Sequence, residues 1–94
     1  MSNTGKEVLI YNKTMTLANT EYSQALPYGT VKIMVQNRGA FDTKISFTSG
    51  ASGTNYFTLK SSMVYYDDFV DVGRTLYFQC ADAGKTLEIM VWVK

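Results

Sequence analysis

The chain has 94 residues, nine Lys or Arg against eight Asp or Glu, no histidine, and a net charge of +1. That length supports one domain, 1–94, with a modest core, and the 46% hydrophobic content excludes a disordered tail. Near-neutral charge leaves no electrostatic footprint for nucleic acid or an anionic membrane, and the missing histidines exclude Ser-His-Asp triads, imidazole bases and His-bound zinc.

Residues 1–6 are polar and read as a flexible arm. The apolar run Val8 to Tyr11 is too short for the core of a signal peptide, and Ile89 to Val93 is too short to span a membrane. Synthesis in a reducing host cytoplasm is the expectation, with Cys80 as a small buried hydrophobe. Asn12-Lys13-Thr14 matches a glycosylation sequon, which is empty without secretion.

Eleven Thr, eight Val, four Ile and 13 aromatics set a β-type composition. Period-two alternation predicts eight strands, near Glu7–Tyr11, Thr14–Ala18, Thr30–Asn37, Phe41–Thr48, Tyr56–Lys60, Met63–Tyr66, Thr75–Cys80 and Thr86–Val93. Glycine-containing turns separate them, and a Ser/Gly loop at 49–54 reads as a hairpin connection. The expected fold is all-β: a single antiparallel β-sandwich, jelly-roll or immunoglobulin-like.

Along Thr30–Asn37 the apolar residues Val31, Ile33 and Val35 share a face, as Phe41, Ile45 and Phe47 do along the next strand. A three-residue loop at Arg38-Gly39-Ala40 would join the two as a hairpin, with Val35 opposite Thr43, Ile33 opposite Ile45, Val31 opposite Phe47, and Gly39 or Ala40 in a left-handed conformation. A turn at Ala83-Gly84 would likewise pair Cys80 with Leu87, Phe78 with Ile89 and Leu76 with Val91. On the outward face it would set Tyr77 opposite Met90, Thr75 opposite Trp92 and Gln79 opposite Glu88. A solvated antiparallel sheet should be polar there, so Tyr77, Met90 and Trp92 stand out. Either the first 28 residues cover them as a second core layer, or they form a contact surface rimmed by Thr75, Gln79 and Glu88. The polar rim favours the contact surface.

Other constellations are weaker. Gly84-Lys85-Thr86 resembles the end of a phosphate-binding loop, yet the first glycine is replaced by Gln79 and a strand follows, so a β-turn is the better reading. Asp67, Asp68 and Asp71 could gather around calcium or act as acid and base, but they lack the spacing of a calcium loop. Lys60, Ser61 and Ser62 make a poor nucleophile pair, because adjacent strand residues point to opposite faces. No metal or cofactor is expected, and no catalysis.

From Val31 to Lys94 the chain resembles small accessory virion proteins of tailed bacteriophages. The likeness lies in Val35-Gln36-Asn37-Arg38-Gly39, Phe57-Thr58-Leu59, Tyr65-Tyr66-Asp67-Asp68, Thr75-Leu76-Tyr77-Phe78-Gln79 and the segment from Ala83 to Val93. It implies a compact β-sandwich without catalytic residues that decorates or cements the capsid, located in the virion. Its partners would be the major capsid protein and copies of itself about a symmetry axis. The other reading is a small glycan-binding module, or a head-fibre or tail component for host attachment, presenting Trp92 and Tyr77 to sugars.

Overall fold

The computed structural model describes residues 7–68 and 74–94. The arm at 1–6 and Asp71 lie outside the described residues. Eight strands form: β1 (Glu7–Met15), β2 (Tyr22–Leu26), β3 (Thr30–Asn37), β4 (Thr43–Ser46), β5 (Phe57–Leu59), β6 (Val64–Asp68), β7 (Arg74–Gln79) and β8 (Lys85–Val93). No helix occurs among the described residues. The strands make two antiparallel four-stranded sheets, ordered β1-β8-β3-β6 and β2-β7-β4-β5.

That order has a simple origin. Glu7 lies opposite Val93, Tyr22 opposite Phe78 and Lys32 opposite Asp68, each pair equidistant along the chain from Gly50. Thr43 opposite Leu59 is displaced by only one position. The chain is therefore one long hairpin, tipped by the Ser/Gly loop and rolled so that successive stretches of the ribbon fall in alternate sheets. This is the jelly-roll topology; it resolves the choice between jelly-roll and immunoglobulin-like order.

Alternation along each strand buries one face of each sheet. Met15, Ile33, Val35, Leu87, Ile89 and Val91 from the first sheet meet Leu26, Ile45, Leu59, Leu76 and Phe78 from the second. Cys80, just past β7, is buried as expected. Every inward residue of β7 and β8 foreseen from parity is buried.

The partners are different from those expected. β3 and β4 lie in separate sheets, so Ile33 faces Val91 and Asp67 along its own sheet, while Ile45 faces Phe57 and Phe78. β7 and β8 are also in separate sheets: Phe78 pairs with Tyr22 and Ile45, and Ile89 with Tyr11 and Val35. The cause is that two strands turning the same parity inward can adjoin within a sheet or oppose each other across the core. Parity satisfies both arrangements equally.

The crossings are held locally. Gly39 takes the left-handed conformation (φ 113°) where the chain leaves the first sheet. Asn37 donates its side-chain amide to the Leu59 carbonyl at 3.0 Å and accepts the hydroxyl proton of the buried Thr43, fastening the two sheets beside that turn. At the second crossing Gly84 (φ 79°) donates its N–H to the Met15 carbonyl at 2.8 Å, so Gly84-Lys85-Thr86 is a turn leading into strand.

Three further differences concern single elements. The two short strands expected before Ala18 are one continuous nine-residue β1, because Asn12 and Thr14 fall on the outward side and Lys13 sits at an edge where its ammonium reaches water. β2 was not foreseen. Its inward residues Tyr22, Gln24 and Leu26 put a polar group in the apolar series, which an edge strand tolerates. The pairing of β3 with β8 skips Val31, a bulge that turns Thr30 inward. Buried Thr30 donates its hydroxyl to the Pro27 carbonyl at 2.6 Å, and Val31 is left half-buried.

Candidate functional site

β1 and β2 do not cover the outward aromatics. They extend the two sheets at one side, and no described strand lies over the outer face of either sheet. Tyr77 and the Met90–Trp92 pair point out of opposite sides of the sandwich, so the three do not form one patch. Tyr77 stands between Ser23 and Ser46 on the second sheet. Around it that face carries Thr75, Gln79, Lys44 and Thr58, with the Lys44 ammonium over the exposed Tyr56 ring at 4.9 Å, a mainly polar surface. Thr75 and Gln79 therefore do not rim Met90 and Trp92.

On the first sheet the result is the reverse. The registers align Ile10, Met90, Met34 and Tyr66 in one row across all four strands. The neighbouring row reads Val8, Trp92, Lys32 and Asp68. Ile10 is 61% exposed, Tyr66 59% and Val8 50%. An apolar row that crosses a whole sheet without cover is unusual for a soluble face, which is normally the polar half of the alternation.

Charged groups frame the row on both sides. Lys32 extends its Nζ over the Trp92 ring at 5.2 Å and the Tyr66 ring at 5.6 Å, binding those two aromatics through a shared cation–π contact. On the other side Glu88 accepts the Gln36 amide at 2.6 Å and the Arg38 Nε at 2.7 Å. The Gln36 hydrogen bond, then that of Arg38, holds the Glu88 carboxyl below its ordinary value. Beside Glu88 and Arg38 lies a shallow depression of about 270 Å³ bordered by Ile10, Met34 and Met90. It is open to solvent and too small to enclose a drug-sized ligand. The face has an apolar centre and a charged rim.

Met90 and Trp92 were legible as outward apolar residues of β8. Ile10, Met34 and Tyr66 were missed, although the signal was present. Val8 to Tyr11 and Ile33 to Val35 are apolar at consecutive positions, which in a strand must place apolar groups on both faces.

Of the acidic bend, Asp67 and Asp68 are described and alternate in direction along β6, while Asp71 lies outside the described residues. Asp67 turns inward, accepting the Tyr65 hydroxyl at 2.7 Å, while Asp68 turns outward beside Lys32. Burial first, and this hydrogen bond second, push the Tyr65 hydroxyl's pKa well above its ordinary value. Its ring also packs on Phe57 with centroids 4.8 Å apart, joining β6 to β5 across the end of the sandwich.

Comparison with protein-family models, with curated proteins and with solved structures found no match.

Proposed function

We propose that this chain is a non-enzymatic structural protein that docks the outer face of its first sheet on another protein, and that its partner is the assembled shell of a bacteriophage head. The observation carrying the docking face is the uncovered row Ile10–Met90–Met34–Tyr66, rimmed by Lys32 on one side and by Glu88 with Arg38 on the other. Its centre combines aromatic and Met side chains, the types enriched where proteins meet. The phage assignment rests on the resemblance of Val31–Lys94 to accessory virion proteins. The jelly roll is compatible with it, being an architecture common among capsid and lectin domains, which is support by analogy only. Such a protein would act by mass action, binding the assembled shell in preference to free subunits.

Glycan binding is the less favoured use of the same face, because the ammonium of Lys32 lies over the Trp92 ring on which a sugar would stack. Trp92 is the single tryptophan, so its fluorescence reports on this face alone. The test is sedimentation of purified protein with isolated phage heads, alongside fluorescence titration with a panel of sugars. Co-sedimentation lost in Met34→Asp, with the fold retained and the sugars inert, is expected. A fluorescence response to sugars with no co-sedimentation would overturn the proposal.

A further inference from the structure

A sheet edge exposes a row of backbone N–H and C=O groups, and proteins normally shield such edges with short strands, charges, proline or bulges. Three of the four edges here follow that practice. β5 has three residues, β2 has five and runs into Pro27, and β6 has five and ends in Asp67 and Asp68. β1 is the least shielded: it is nine residues long, pairs with β8 without a bulge, carries no proline, and has only the opposite charges Glu7 and Lys13 along it.

The sequence of β1 is self-complementary in the antiparallel sense. With Ile10 opposite Ile10 of a second copy, Val8 falls opposite Asn12, Leu9 opposite Tyr11, and Glu7 opposite Lys13. This register keeps inward residues on the inward side of both copies. It also creates two identical Glu–Lys pairs from residues that form no ion pair with each other or with other described residues. Moving the centre to Leu9 or Tyr11 breaks the Glu7–Lys13 match. Leu9 and Tyr11 are only half-buried in one copy, though they pack against its core, and each would gain an apolar neighbour from the other copy.

We infer that β1 is the self-association edge of this protein, pairing antiparallel with β1 of a second copy about a two-fold axis at Ile10. Two four-stranded sheets then become one eight-stranded sheet. The apolar row runs unbroken from Tyr66 of one copy to Tyr66 of the other. The contact is isologous and closes at two copies, which separates it from the open-ended edge pairing that leads to fibres. It holds whatever the outer face binds, since it uses the strand's margin.

Sedimentation velocity over a range of protein concentrations tests this, with charge reversals as the discriminating variants. Wild type should form a concentration-dependent dimer. Glu7→Lys and Lys13→Glu should each weaken it by roughly tenfold or more, because like charges then lie opposite one another twice. The double variant Glu7→Lys/Lys13→Glu should regain it. Amide hydrogen exchange should show the free-edge N–H groups of β1 becoming protected as concentration rises. Ile10→Lys, which sets two ammonium groups on the axis, gives a second monomeric variant; far-UV circular dichroism shows that each variant keeps its fold. A monomer at all concentrations, a species larger than two, or a dimer indifferent to the single reversals or not restored by the double one would overturn the inference.

Discussion

Glu21 ties the tip of the hairpin to the body of the sandwich. Its carboxylate accepts the Gly50 N–H at 2.8 Å, the Ser52 N–H at 3.0 Å and the Ser52 hydroxyl, and Gln79 donates to that same hydroxyl at 2.9 Å. The Ser52 hydroxyl is the main cause of the carboxyl's lowered pKa, opposed in part by burial. A carboxyl depressed in the folded state stabilises the fold above its unfolded value and ceases to do so as pH falls through the folded one. Glu21→Gln should therefore cost about 1–2 kcal/mol at neutral pH, as charge-assisted hydrogen bonds are replaced by weaker ones. Urea titrations of both proteins should converge as pH drops below the ordinary carboxylate range near 4.5. Phe78 presents the opposite case, a fully buried ring at the centre of the second sheet. Phe78→Ala should cost about 3–5 kcal/mol and leave a domain of this size largely unfolded by circular dichroism.

Among the elements, β8 and β3 show most clearly how much parity reveals. Leu87, Ile89, Val91 and Val93 are buried, and Ile33 and Val35 with them, as the alternation requires. The outward residues between them, Met34, Met90 and Trp92, form the middle of the apolar face. Trp92→Ala should keep the melting transition within about 1 kcal/mol of wild type, since an outward residue is lost from a solvent-facing position. Docking should weaken by about 2 kcal/mol or more, at least roughly 25-fold, as for a central aromatic anchor. Loss of fold in this variant, by thermal melt, would mean that the ring serves the sandwich instead of a partner. Two residues of opposite sheets, Tyr77 and Met90, looked equivalent by the same rule because parity assigns a face and is silent on which sheet the face belongs to. Strands β1 and β2 were misread for a related reason: edge positions accept Lys13 and Gln24 among their inward residues, which blurs the alternation.

Across the whole molecule, the nested ribbon makes almost every strand pairing non-local. β1 finds its partner at the far end of the chain, and among the described strands only β4 and β5 are neighbours in both sequence and sheet. Closing such long loops must precede the burial that rewards it, so folding measured by stopped flow should take on the order of milliseconds to seconds. The tip loop brings together the most local pairing, β4 with β5, and Glu21 reaches it from just before β2, the strand that pairs with β7. Weakening this junction through Glu21→Gln should raise the unfolding rate if the junction forms after the rate-limiting step, and slow folding if it belongs to the nucleus.

The amino-acid sequence by itself determined the all-β class, the positions of six of the strands to within a few residues, and which side of β3, β4, β7 and β8 turns inward. These depend on local alternation and on glycine at the turns, properties carried within a few residues of each other. Tertiary structure alone decided that β3 crosses to the opposite sheet from β4, that β7 and β8 also part, and that Ile10, Met34, Met90 and Tyr66 meet in one row. Those outcomes depend on which distant strand supplies the backbone partner. Local pattern leaves that choice degenerate, since a hydrophobic face is equally satisfied by a neighbour beside it and by a sheet opposite.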